Sequence, residues 1–293
     1  MSRTYPFVWL DVFTTTPMEG NQLAVFPDAR GLSDEEMQTI ARETHLSETT
    51  FVFPEEPAAD AEGGFRTRIF AVDYEMPFAG HPTLGTASVL AEQLGRTEVA
   101  LRLKVGRIPV RFSERSGHRF GEMVQNDPEV GQTHDRSAVA KALGVRTDDL
   151  DPHHPIQTVS TGNPFVIVPF RKLETLSKIR PSSAAMDDYL SRSDGKYFYF
   201  LTTETVEPTA RAHARMVYAG GEDPATGSAA GPAVAWMVVH GIARPGESLL
   251  IEQGLEIRRR SHIYGRADLV DGRAVNVRIG GHTAPVIEGQ LRL

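Results

Sequence analysis

The sequence contains no cysteine. That absence excludes disulfides, thiolate metal sites and any mechanism built on a thiol nucleophile or a thiol acid–base pair. Chemistry here must use carboxylates, histidine, lysine, tyrosine or hydroxyl groups. No apolar run approaches the roughly 20 residues that a membrane-spanning helix needs. Met1-Ser2-Arg3-Thr4-Tyr5 is not followed by the apolar core of a signal peptide, so a cytoplasmic protein without membrane contact is expected. Long basic blocks are missing too: the net charge is −7 over 293 residues, and nucleic acid is not an expected partner. There is no Walker A sequence, and Ala219-Gly220-Gly221 does not have the spacing of a dinucleotide-binding loop. His153-His154 has no neighbouring ligand set at metal spacing and reads as surface, as does the short basic cluster Arg258-Arg259-Arg260.

What the chain does contain is a repeat. Pro82-Thr83-Leu84-Gly85-Thr86-Ala87 and Pro224-Ala225-Thr226-Gly227-Ser228-Ala229 share Pro-x-x-Gly-(Ser/Thr)-Ala. Gly20-Asn21-Gln22-Leu23-Ala24-Val25 and Gly162-Asn163-Pro164-Phe165-Val166-Ile167 match at the same separation. Two matches at one spacing predict a duplicated unit, and the chain is long enough for two domains. Each Pro-x-x-Gly segment leads into an apolar run, Thr86 to Leu94 and Ser228 to His240, closed by Gly95 and Gly241 as C-caps. Their apolar residues go most of the way round, which predicts helices buried inside their domains. Unpaired amides and positive partial charge at such helix starts favour an anion.

Around these helices the chain reads as many short strands. Phe7 to Phe13, Leu23 to Phe26, Phe65 to Ala71, Pro164 to Val168, Tyr197 to Thr202, Ala214 to Tyr218, Leu249 to Gln253, Leu255 to Arg259, Ala274 to Ile279 and Val286 to Leu293 have strand character. Val99 to Val105 and Ile108 to Phe112 suggest a hairpin around Gly106-Arg107, and Asp127 to Asp135 reads as a linker. Ser33-Asp34-Glu35-Glu36 is a capping box that opens a helix. Strands do not alternate regularly with helices, which predicts an α+β fold with largely antiparallel sheets.

Three side chains are candidates for chemistry. Asp223 precedes Pro224 at the second helix start, and His81 occupies the matching place before Pro82. Alone, either is an ordinary helix-start or core residue; as a matched pair they suggest a proton-handling His and carboxylate facing one cleft. Glu48 lies in a helix-to-strand turn, where a carboxylate is usually solvated. Whether Leu46 and Phe51 bury it is left open by the residues themselves.

These motifs resemble the phenazine-biosynthesis isomerase (PhzF-like) family, related to the diaminopimelate epimerase fold. The resemblance is carried by Asp11-Val12-Phe13 with Gly20-Asn21, by Leu46-Ser47-Glu48-Thr49-Thr50-Phe51 and by Glu75-Met76-Pro77-Phe78-Ala79-Gly80-His81-Pro82-Thr83-Leu84-Gly85. Thr161-Gly162-Asn163-Pro164, Glu222-Asp223-Pro224-Ala225-Thr226-Gly227-Ser228-Ala229, Gly280-Gly281 and Ile287-Glu288-Gly289 continue it to the end of the chain. The resemblance implies two pseudo-symmetric domains, each a mostly antiparallel curved sheet or barrel around a central helix, with the active site in the cleft between them. The expected division is residues 1–126 and 127–283, with a last strand, about 284–293, returning to the first half. It further implies a homodimer with no cofactor and no metal.

Carried over by motif, Glu48 becomes the residue that moves a proton on carbon, with His81 and Asp223 assisting. Gly80, Gly227 and Ser228 would bind the substrate. The implied reaction is an isomerisation of a small carboxylate by Glu acid/base catalysis, of the trans-2,3-dihydro-3-hydroxyanthranilate isomerase type. The alternatives are a non-catalytic binder of small carboxylates and a carboxylate-based racemase or epimerase; two-thiol epimerisation is excluded without cysteine. The chain departs from the family pattern at Gln22, where Pro is usual, at Ala71-Val72-Asp73 and at Arg258-Arg259-Arg260-Ser261. These departures bear on the substrate more than on the reaction type.

Overall fold

Local signals set the elements, and the spacing of apolar residues decides which face each one buries. The computed structural model describes residues 2–54 and 63–293. They divide into two units, Met1–Val124 with Gly280–Leu293, and Gln125–Ile279.

In the first unit β1 (Thr4–Val12) and β2 (Asn21–Phe26) are antiparallel. The capping box of Ser33 and Glu36 opens α1 (Asp34–Thr44), which buries Met37, Ile40 and Ala41 at helical spacing. This helix covers the crossover to β3 (Thr49–Phe53), which runs parallel to β2. β4 (Phe65–Phe70) is antiparallel to β3, and β5 (Glu75–Met76) folds back on β4. A second helix, α2 (Gly80–Leu94), crosses to β6 (Glu98–Leu103), parallel to β4. β7 (Gly106–Arg115) and β8 (His118–Val124) follow as antiparallel hairpins.

Every residue of α2 from Gly80 to Ala91 is buried. The helix packs against β1, β2, β3, β6, β7 and β8, so the sheet curves around it. The close approach depends on Gly85: a Cβ there would sit 2.6 Å from Leu23 Cδ2 and 2.8 Å from Val12 Cγ2. Alanine normally favours a helix over glycine. Here Gly85→Ala is expected to destabilise the fold by roughly 1–3 kcal/mol through overpacking, read from urea unfolding midpoints. An unchanged or higher midpoint would mean that β1 and β2 can recede without cost.

The second unit opens with β9 (Glu129–His134), α3 (Arg136–Leu143), β10 (Ile156–Ser160) and β11 (Pro164–Pro169). β10 and β11 are antiparallel; α4 (Leu173–Lys178) and α5 (Ser183–Leu190) then lead to β12 (Tyr197–Thr202), parallel to β11. β13 (Ala212–Tyr218) is antiparallel to β12, and β14 (Gly221–Asp223) folds back on it. The buried helix α6 (Gly227–Val239) leads to β15 (Leu249–Gln253), parallel to β13, and β16 (Ser261–Val270) pairs antiparallel with β15. The chain ends in β17 (Arg273–Arg292), whose later residues pair with β1 from Thr4↔Arg292 to Val12↔Thr283.

The same sequence of pairings therefore occurs in each unit: antiparallel, parallel over outer helices, antiparallel, parallel over a buried helix, antiparallel. The duplication expected from the sequence is present in the topology. The fold is α+β, with mostly antiparallel strands around one buried helix per unit.

Three local expectations are corrected. Residues 127–135 are no linker: β9 occupies most of them and pairs with β10. Its polarity comes from solvent exposure, and its Gly131 allows Asp194 to approach and accept the Gln132 N–H at 2.7 Å. The β6–β7 hairpin turns at Lys104-Val105, because Leu103 pairs with Gly106. The chain at Leu255–Ile257 is a 3-10 turn, since Gly254 takes a left-handed conformation (φ +79°) that ends β15.

Candidate active site

The two Pro-x-x-Gly segments, matched in sequence, start their helices at different points. α2 begins at Gly80, so His81 lies in its first turn. Pro82 does not prevent this, because the third helical position has no intrahelical use for an N–H. In the second unit α6 begins only at Gly227, and Asp223 ends β14. His81 and Asp223 therefore hold different backbone positions, unlike the matched places that the sequence suggests. Gly80 and Gly227 are each the first helical residue, and neither helix has a side-chain cap. The positive end of a helix dipole at such a start favours an anion.

Glu48 lies between α1 and β3, and two hydroxyl bridges fix the turn that carries it. Thr44 and Thr49 hydroxyls meet at 2.8 Å across the turn, and Thr50 meets Thr86 of α2 at 2.8 Å. His45, in the left-handed region, ends α1, and Leu46 is buried beside it. The Glu48 side chain is only 14 % exposed, and its Oε2 stands 3.4 Å from His81 Nε2. The same His81 nitrogen is 3.2 Å from the Gln22 carbonyl oxygen.

Two acceptors facing Nε2 place the hydrogen there in the neutral ring. Burial pushes the His81 pKa down to about 3, with the Gln22 carbonyl working weakly the other way. The contact is therefore a neutral N–H facing a carboxylate rather than an ion pair. Gln22 contributes through its backbone, so the departure from proline at this position leaves the carbonyl in place.

In the second unit Asp223 Oδ2 accepts the Thr226 hydroxyl at 2.6 Å. Gly227 is buried and Ser228 half-buried at the start of α6. Behind this loop Gln253, fully buried at the end of β15, reaches both Asp223 and Thr226. A Cβ on Gly254 would sit 2.6 Å from the Pro224 carbonyl, so glycine lets the strand end press against the loop.

A buried charge network supports the same strands. Arg215 holds Glu222 through two bonds of 2.8 and 2.7 Å and donates to the Leu176 and Ile179 carbonyls. His213 bridges Glu252 and Glu256, both at 2.9 Å. Burial disfavours its charge, but the two carboxylates outweigh that and raise its pKa to about 9.

The structure thus brings Glu48, His81 and Gly80 together in one unit, and Asp223, Gly227 and Ser228 in the other. Among the described residues no group of three or more His, Asp or Glu side chains is placed to hold a metal ion. Sequence reasoning missed Gln253, Thr226 as a donor to Asp223, and the Gln22 carbonyl. The available signal for Gln253 was an amide next to a glycine at an expected strand end, which is weak without its partners.

Comparison with known proteins gives a consistent result. The sequence model of the family described as phenazine biosynthesis-like protein (PhzC-PhzF) matches residues 10–289. The chain is 38 % identical to an uncharacterized isomerase of Mesorhizobium japonicum, covering 99 % of each chain. It is 33 % identical to the trans-2,3-dihydro-3-hydroxyanthranilate isomerase of Pseudomonas aeruginosa, covering 98 % of this chain and 99 % of the other. A solved PhzF-family protein from Bacillus anthracis superposes with a TM-score of 0.86 at 28 % identity, covering 99 % of both.

Proposed function

The chain belongs to the phenazine biosynthesis-like (PhzC-PhzF) family, and we propose that it is a cofactor-independent isomerase that moves a proton between carbons of a small carboxylate. The observation that carries this reading is the Glu48–His81 contact: a mostly buried carboxylate facing the N–H of a neutral imidazole. Glu48 takes a proton from a substrate carbon and becomes the neutral acid. The electron pair moves into the substrate's own unsaturated system, and Glu48 returns the proton at another carbon. No electrons leave the substrate. The His81 N–H, neutral throughout, stabilises charge that develops near Glu48. A substrate carboxylate is held at a helix start, for which Gly80 is the candidate in the first unit and Gly227 with the Ser228 hydroxyl in the second, where Asp223 serves as a hydrogen-bond acceptor for substrate.

The reaction named for the Pseudomonas aeruginosa relative, on trans-2,3-dihydro-3-hydroxyanthranilate, is the first to assay. The broader test is incubation in D2O with a panel of cyclic amino and hydroxy acids, followed by mass spectrometry. Solvent deuterium is expected at carbon in at least one acid. Binding of these acids with no exchange in any of them would leave a carboxylate-binding protein instead.

A further inference from the structure

The hydrogen bonds behind Asp223 form a chain whose direction is set by the backbone. Two groups facing Gln253 have no choice of role. The Thr226 backbone N–H can only donate, and it lies 3.2 Å from Oε1. The Asp223 carbonyl can only accept, and it lies 2.8 Å from Nε2. Together they fix which end of the amide is which. Tyr199, fully buried, adds its hydroxyl to Oε1 at 3.0 Å. Burial, with the Asp223 charge, pushes the Tyr199 pKa up, so it stays a neutral donor.

The second hydrogen of Nε2 then points at Thr226 Oγ1, 2.9 Å away. That hydroxyl must accept from Gln253, and its own hydrogen goes to Asp223 Oδ2 at 2.6 Å. The Thr226 hydroxyl does not cap α6, although Thr226 stands at the N-cap position. An N-cap threonine ordinarily spends its oxygen on the helix amides. Here it is turned to the carboxylate.

We infer that Gln253 is a positioning residue: its amide sets the direction of the Thr226 hydroxyl and thereby holds the Asp223 carboxylate as a hydrogen-bond acceptor in one orientation. The inference rests on the proposed role of Asp223 in binding substrate, and its geometry stands independently of turnover. In Gln253→Met the amide is lost, the Thr226 hydroxyl is free to turn, and Asp223 is no longer held. In Thr226→Val the donor itself is removed with little change of shape. Thr226→Ser keeps the hydroxyl.

The test has two readouts. The first is proton NMR of the whole protein, looking for the slowly exchanging hydroxyl resonance of a bond donated to a carboxylate. It is expected in the parent and in Thr226→Ser, and absent in Thr226→Val and Gln253→Met. The second is steady-state kinetics on whichever acid exchanges deuterium. There KM is expected to rise on the order of tenfold or more in Thr226→Val and Gln253→Met, as for loss of a hydrogen bond to a charged group that binds substrate. The kcat should change little, and Thr226→Ser should restore KM. A hydroxyl resonance that survives in Gln253→Met overturns the inference, as does a KM unchanged in both Thr226→Val and Gln253→Met. A resonance that behaves as expected in a protein that turns over no acid supports the relay and removes the proposed function. If Gln253→Met does not fold, Thr226→Val and Thr226→Ser carry both readouts.

Discussion

Glu48→Gln is expected to cut carbon–proton exchange by about 10²–10⁴-fold, the usual contribution of a positioned general base. The substitution keeps the length and shape of the side chain and an acceptor oxygen facing His81 Nε2, now 3.4 Å from Glu48 Oε2. What it removes is basicity. If Glu48 only bound substrate, the loss would appear in KM; as the proton carrier it appears in kcat, with ligand affinity by calorimetry kept within about tenfold. His81 cannot take over, because a ring whose pKa burial lowers to about 3 is too weak a base to remove a proton from carbon. A Glu48→Gln enzyme that exchanges deuterium at nearly the parent rate would remove Glu48 from the mechanism.

His213→Ala is expected to be the most damaging of the substitutions to stability considered for the second unit. It leaves the buried carboxylates of Glu252 and Glu256 without the cation that bridges them at 2.9 Å each. Breaking a buried pair by removing one partner costs roughly 3–5 kcal/mol, which corresponds to a fall in Tm on the order of 10 °C for a chain of this size. The pH dependence follows from the raised pKa. In the unfolded chain the imidazole titrates near 6.5 and in the folded protein near 9. The folded state therefore binds the proton more tightly, and the stabilisation is complete below about pH 6.5. It is lost as pH rises through 9. Calorimetric scans should show the parent Tm falling between pH 7 and 9, with a much smaller fall in His213→Ala. Parallel curves for the two proteins would show that His213 does not carry the charge assigned to it.

The architecture was legible because its signals are local or repeated. The capping box at Ser33 and Glu36, the glycine at Gly95 in the left-handed region and the all-round apolarity of Gly80 to Ala91 each act within a few residues. The paired Pro-x-x-Gly segments carried the duplication, and the same order of strand pairings appears in both units. Residues 127–135 were misread for a physical reason. An exposed strand such as β9 has polar residues on most positions, so its composition matches that of a linker until its partner β10 is known.

The site was legible only in part. Glu48, from its own neighbours, read as a solvated turn carboxylate, and only the family resemblance raised it to first choice. Its low exposure and its distance to His81 come from the hydroxyl bridges that seat the turn. The unequal helix starts also escaped the sequence. Asp223 stays outside α6 with its carboxylate held by Thr226, and Gln253 holds the loop from a strand distant in the chain.

By itself the sequence determined the chemistry available, with no thiol anywhere in the chain, together with the repeated topology and the two buried helices. Tertiary structure decided which charges survive and which way hydrogens point: a neutral His81, a cationic His213, and a Thr226 hydroxyl turned to Asp223. Composition and periodicity act over a few residues. A protonation state or a hydroxyl direction depends on burial and on partners brought close from far along the chain, and those exist only once the fold has formed.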